Sequence, residues 1–224
     1  MIKAIVFDLD GTLLNRDESV KVFIAEQYER LHKWLCHISK EEYIRRFIEL
    51  DKRGYVWKDK VYKQLIKEYF IQEITWEELL EDYLTYFKEH CVPFPKHLET
   101  LKKLKQDNFL VGMITNGKGQ FQMDNIKALE MDSYINTILI SDWEGVKKPD
   151  PAIFKRASER LRVHPEECVF IGDHPVKDVK AAQDVGMIGI WKRDHQWNAV
   201  EADYVIDELD EIPKIIQQLT SVST

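Results

Sequence analysis

The sequence predicts an α/β protein: a Rossmann-like, doubly wound parallel sheet with a helical domain inserted into it. Two observations predict it. Short apolar runs bounded by polar or glycine-containing turns recur along the chain, and from Phe109 onward helical patterns separate them. Between residues 16 and 88 that alternation stops, and only helical periodicity remains.

The first strand, residues 2–7, is apolar and runs straight into Asp8-Leu9-Asp10-Gly11-Thr12. A helical stripe follows at Val20, Phe23, Ile24, Tyr28, Leu31 and Leu35, interrupted by the polar Gln27. Ser39 and Glu42 have capping-box spacing ahead of Tyr43, Ile44, Phe47 and Ile48. Val61, Tyr62, Leu65, Ile66, Tyr69 and Phe70 form another stripe. Thr75 and Glu78 repeat the capping box before Leu79, Leu80, Tyr83, Leu84 and Phe87. A structureless loop of this length is improbable in a compact domain. Residues 16–88 therefore read as a small helical bundle, with 1–15 and 89–224 forming the sheet domain. Leu14-Asn15-Arg16 and Val92-Pro93-Phe94-Pro95 read as the two hinges.

The remaining strands are expected at residues 109–115, 135–141, 168–171, 186–191 and 203–206. Helices are expected at 119–130, 151–161, 176–185 and 209–219, with a fraying tail from 220 to 224. The 224 residues carry 32 Lys+Arg against 39 Asp+Glu, a net charge of −7, which argues against binding to a nucleic-acid polymer or an anionic membrane. No run approaches the roughly 20 apolar residues that span a bilayer, and no secretory leader is evident. Three cysteines, Cys36, Cys91 and Cys168, are widely spaced and form no CxxC pair. They point to reduced thiols and a cytoplasmic protein.

Chemistry-bearing residues fall at strand ends, where an open parallel sheet presents its ligand crevice. Residues two apart on an extended strand share a face, so Asp8 and Asp10 can address one site, and Gly11 lets the chain turn away. The alternative is a plain Asp-Gly turn. The second strand of the core ends in Thr115-Asn116-Gly117, whose hydroxyl, amide and turn N–H groups could hold phosphoryl oxygens or could simply cap a turn. Lys148 precedes Pro149, which biases it to extended backbone just before a helix. Gly172-Asp173 and Asp178 close the set, with oxygen-only ligands of the kind Mg²⁺ prefers.

Taken in order, DLDGT at 8–12, ITN at 114–116, KKPD at 147–150 and GDHPVKD at 172–178 resemble the four motifs of the haloacid dehalogenase-like hydrolases. The insert resembles the helical cap of the phosphoglycolate phosphatase and β-phosphoglucomutase relatives. That resemblance implies a phosphatase acting on a small phosphorylated metabolite, in which Asp8 is the nucleophile and Asp10 the general acid and base. It implies that Thr115 and Asn116 bind the phosphoryl group, and that Lys148 neutralises charge. It implies Mg²⁺ on Asp8, the Asp10 carbonyl and Asp173, with Asp178 either a further ligand or an anchor for Lys148. Dehalogenase and phosphonatase relatives lack the second aspartate, so Asp10 disfavours both. A phosphomutase of the β-phosphoglucomutase type and a non-catalytic phosphometabolite- or protein-binding relative are the alternatives. Arg53 and Tyr55 lie in a Gly- and aromatic-containing loop with Arg45, Arg46, Lys52 and Lys58, placed to set substrate specificity or to form a solvated helix face. A monomer or weak homodimer is expected.

Overall fold

A computed structural model describes residues 1–221. Its contacts divide the chain into two compact units, Met1–Asn15 with Pro93–Thr224, and Arg16–Val92.

The first strand, β1 (Ala4–Phe7), is followed by the helical unit. That unit contains α1 (Arg16–Arg30), α2 (His32–Leu35), α3 (Lys40–Asp51), α4 (Lys58–Tyr69) and α5 (Trp76–Tyr86). Its core is aromatic: Phe23, Phe47, Tyr62, Tyr83 and Phe87 are buried and meet at ring separations of 5.0–6.5 Å, and the buried Tyr43 lies 5.9 Å from Tyr28. Gln27, the polar break in the stripe of α1, is fully buried inside it. Its amide nitrogen donates to Leu79 O and Asp82, and its oxygen accepts from the hydroxyls of Tyr43 and Tyr62. A buried amide is tolerated because its partners are all supplied.

Thr75 and Glu78 close a full capping box on α5. At α3 half of one forms: Ser39 Oγ accepts from Glu42 N, while the Glu42 carboxylate takes the Arg45 guanidinium and the Tyr69 hydroxyl. The second boundary falls at Val92–Pro93, later than the expected 88/89. The reason is the short turn Phe87–His90, whose Phe87 and His90 rings pack on Phe23.

The sheet unit resumes with α6 (His97–Gln106), a helix absent from the sequence reading. Next come β2 (Leu110–Thr115), α7 (Gly119–Ala128), β3 (Thr137–Ile140), α8 (Ser141–Glu144) and α9 (Pro151–Leu161). β4 (Cys168–Gly172) leads into a wide turn, Pro175–Lys180, that continues as α10 (Ala181–Gln183). β5 (Ile188–Lys192), β6 (Tyr204–Ile206) and α11 (Ile212–Ser221) complete the unit. Thr220 and Ser221, expected to fray, continue α11 with hydroxyls bonded to Gln217 O, and the rest of that tail lies outside the described residues.

All six strands are parallel in the order β3-β2-β1-β4-β5-β6, the doubly wound arrangement. Ala4, Val6, Cys168 and Phe170 turn to the face that α9 and α10 cover with Ile153, Phe154, Ala157 and Ala182. On the sheet's flank α6 packs against β2 and α11, and Thr100 Oγ1 donates to Leu209 O. Strands buried on both faces explain the near-continuous apolar runs. The three cysteines are free, and no helix among the described residues is long and apolar enough to cross a membrane.

Candidate active site

The strand order reverses beside β1, and the register there brings distant residues together. Phe7 lies opposite Met113 on one side and Ile171 on the other, and Asp8 N donates to Ile171 O at 2.9 Å. The next residue on each strand therefore reaches the same edge: Asp8, Ile114-Thr115 and Gly172-Asp173.

β1 ends at Phe7, so Asp10 is not on an extended strand as expected. The N–H groups of Thr12, Leu13 and Leu14 all turn back to Leu9 O, and Gly11 takes φ +85°. The turn still leaves Asp10 close enough that its charge raises the pKa of Asp8. Glycine at 11 has a second reason: a Cβ there would meet Asp173 Oδ2 at 2.3 Å. Gly172 makes the same allowance for Asp178, whose Cγ would lie 2.5 Å from an added Cβ.

Lys148 arrives from the β3–α9 connection and is 3% exposed. Its Nζ lies 2.6 Å from Asp8 Oδ1 and 2.7 Å from Asp178 Oδ1. Its backbone is held by Asn116: Lys148 N donates to Asn116 Oδ1 and Asn116 Nδ2 donates to Lys148 O, both at 2.9 Å. The side chain of Asn116, expected to offer a donor to phosphate, is engaged through its oxygen and one of its N–H groups in fixing Lys148. Asp150 caps α9 by accepting from Ala152 N, and the Lys148–Pro149 bond is cis. Ser141 and Asp142 accept from Gly117 N and Gly119 N, which sets the loop after Thr115.

On the other side, Trp191 Nε1 donates to Asp173 O at 2.8 Å. Asp178 Oδ2 accepts from His174 N, and His174 Nδ1 in turn accepts from Val176 N and Lys177 N. The segment expected as a plain helix at 176–185 begins as a wider turn because these bonds tie its start to Asp178 and His174. Asp178 therefore anchors Lys148, and it also joins Asp8 and Asp173 in a group whose carboxylate oxygens lie within 4.8 Å of one another.

The electrostatics are unbalanced. Burial pushes the Asp8 carboxyl up to about 7; Lys148 opposes the rise, and Asp178 and Asp10 add to it. Burial, then Asp8 and Asp178, drives Asp173 well above the carboxylate range. For Lys148 burial favours the neutral amine, but Asp178 and Asp8 outweigh it and keep the ammonium. Three acids around one ammonium, offering oxygen donors in a cradle cleared by two glycines, fit a hard divalent cation.

Gln122, on the first turns of α7, belongs to this site and was missed in the sequence. It is 3% exposed, and its amide nitrogen donates to Asp10 Oδ2 and to Thr115 Oγ1, each at 2.7 Å. A glutamine on a helix carries no chemical signal of its own. Arg53 and Tyr55 lie in the helical unit, exposed, in a turn where Lys52, Arg53 and Gly54 all have positive φ. Arg53 pairs with Asp17 at 2.9 Å, Arg45 and Arg46 pair along α3 with Glu42 and Glu49, and Arg46 also bridges to Glu68 on α4. Lys58 is buried against Asp51.

A polar centre of this composition, at the carboxyl edge where a parallel sheet reverses its order, marks an α/β enzyme acting on a small ligand. The chain belongs to the haloacid dehalogenase-like hydrolases, whose family pattern matches residues 5–192. It is 30% identical over 230 residues to a glyceraldehyde 3-phosphate phosphatase of Pyrococcus furiosus, covering 97% of this chain and 94% of that one. A phosphoglycolate phosphatase of Aquifex aeolicus is 28% identical over 189 residues, 83% of this chain and 82% of the relative. Among solved structures, a HAD phosphatase from Thermococcus onnurineus superposes with a TM-score of 0.69 at 29% identity, covering 96% of this chain and 98% of that one.

Proposed function

We propose that this hydrolase is a Mg²⁺-dependent phosphatase that cleaves small phosphomonoesters through an aspartyl-phosphate on Asp8. The observation that carries the reading is the buried Lys148 held between Asp8 and Asp178, beside Asp173. The phosphatase names of the relatives supply the substrate class.

In the first step an Asp8 carboxylate oxygen forms a bond to phosphorus while the bond from phosphorus to the ester oxygen breaks. Asp10 gives its proton to that leaving oxygen, so the alcohol departs neutral. In the second step a water oxygen bonds to phosphorus, its proton passes to the Asp10 carboxylate, and the Asp8–phosphorus bond breaks to release phosphate. Lys148 screens Asp8 from the incoming anion, with its position set by Asp178 and by the Asn116 amide pair. The Thr115 hydroxyl and the Asn116 N–H bind phosphoryl oxygens. Asp8, the Asp10 carbonyl, Asp173 and Asp178 would hold or orient the cation. When bound, Mg²⁺ supplies the positive charge that lets a phosphate dianion approach these acids. A small phosphorylated metabolite is the substrate, and the enzyme works in a reducing cytoplasm, which suits three free thiols.

The test is turnover of p-nitrophenyl phosphate with Mg²⁺, together with trapping of the phosphoenzyme and mapping of the labelled residue. Hydrolysis that stops on chelation and a label on Asp8 are expected. A label on another side chain, or full turnover by Asp8→Asn, would overturn the reading.

A further inference from the structure

We infer that Gln122 is a positioning residue that orients Asp10 for proton transfer and fixes the polarity of the Thr115 hydroxyl. The inference rests on the phosphatase reading above and adds to it a residue outside the four motifs.

A primary amide has two N–H donors on one nitrogen, and Gln122 spends them on two different partners, Asp10 Oδ2 and Thr115 Oγ1. Which end of an amide faces which neighbour depends on the surrounding bonds, and here an ionised Asp10 carboxylate, which only accepts, calls for the NH₂ end. Asn125, fully buried on the next turn of α7, donates its Nδ2 to Gln122 Oε1 at 3.3 Å. A flipped Gln122 would set its oxygen against the Asp10 carboxylate and its NH₂ against the Asn125 NH₂, losing contacts at both ends.

Space has been cleared for this side chain. A Cβ on Gly117 would meet Gln122 Cγ at 2.7 Å, so the glycine after Thr115-Asn116 lets the amide lie under the loop.

Two consequences follow for chemistry. The Asp10 carboxylate is held at Oδ2 by a neutral, non-titrating donor, which fixes the direction in which the group faces. The Thr115 oxygen already accepts from Gln122, so its own hydrogen points elsewhere and can be donated to a phosphoryl oxygen. Gln122 touches neither the phosphorus nor the leaving group, and acts through these two neighbours.

The experiment compares kcat/KM for p-nitrophenyl phosphate, whose leaving group needs little protonation, with that for an unactivated alkyl phosphate such as glycerol phosphate. Two variants of similar size are used: Gln122→Met, which removes the donor, and Gln122→Glu, which faces Asp10 with a second carboxylate. Each is expected to lose about 100-fold on the alkyl ester and less than about 10-fold on p-nitrophenyl phosphate. Asp10→Asn should show the same selectivity, and Gln122→Met added to it should cost no more on the alkyl ester than it costs the wild type on p-nitrophenyl phosphate, because only the Thr115 share remains to be lost. An equal loss on both esters, or losses that multiply in the double variant, overturns the positioning role. If Asp8→Asn retains turnover, the phosphatase reading itself falls; if Asp8→Asn is inactive and the Gln122 losses are uniform, this inference alone falls.

Discussion

Each unit buries a lysine against aspartate, with opposite charge balance. In the helical unit one carboxylate, Asp51, serves two cations: Arg16 Nη2 at 2.8 Å and Lys58 Nζ. It also accepts from Gly54 N, which steadies the left-handed turn that follows α3. Burial alone would push Asp51 up, but Arg16 and Lys58 together overrule it and hold it below the usual carboxylate range. At the sheet edge three carboxylates share one ammonium, and Asp8 and Asp173 are driven up instead. A carboxylate held low already has its positive partners. Carboxylates driven up by burial and by one another are short of positive charge, which a divalent cation would supply. Burial of an ion pair therefore says little about function, whereas the direction of its imbalance separates a structural cluster from a reactive one.

The same substitution in the two clusters should break different properties. Asp8→Asn is expected to lower kcat by about a thousandfold or more while the metal-free protein melts no lower than wild type. Lys148 keeps Asp178, and the crowding of like charge is relieved. Steady-state kinetics and a thermal melt on one preparation check both halves. Asp51→Asn strips a shared partner from two cations and is expected to cost about 3–5 kcal/mol of stability in a urea titration. A loss near zero there would show that the helical cluster is not structural.

Metal and pH sharpen the contrast further. Because Asp8 is raised from 3.8 to about 7 and Asp173 also upward, the metal-free fold holds protons that the unfolded chain has released. The contribution of these groups to stability is thus greatest below about pH 4 and is lost as pH rises toward about 7. A divalent cation competes with those protons, so the rise in Tm on adding Mg²⁺ should be larger at about pH 8 than at about pH 5. An equal rise at both would remove the acids from the cation site. The smallest effect is expected in the exposed turn of the helical unit. Arg53→Ala should raise KM for the preferred substrate by about 3- to 10-fold and leave KM for p-nitrophenyl phosphate nearly unchanged. Equal changes on both substrates would detach Arg53 from selectivity.

Much of this was legible beforehand because strand ends in a parallel sheet concentrate their chemistry in short stretches. Asp8, Thr115 and Asp173 sit at or just past the end of an apolar run, where the register of β1 with β2 and β4 gathers them, while Asp10, Lys148 and Asp178 follow in the short motifs of the adjoining loops. Other features resisted reading. The helix at His97–Gln106 had its apolar spacing in Leu98, Leu101 and Leu104 yet was hidden behind the Val92–Pro95 hinge. Gln27 looked like a flaw in a stripe and is the hydrogen-bonding centre of an aromatic core.

By itself the chain determined the order of its six strands, the break at residue 16 and the acids and lysine of the candidate site, because these follow from local periodicity and from residue type in and just after the strand ends. The three-dimensional arrangement alone decided that the Asn116 side chain pairs with the Lys148 backbone, that Asp178 lies against both Lys148 and the Asp8–Asp173 pair, and that Gln122 stands against Asp10, 112 positions away. Hydrogen bonds are satisfied by whatever lies within 3 Å, and that neighbourhood is created by packing rather than by sequence separation.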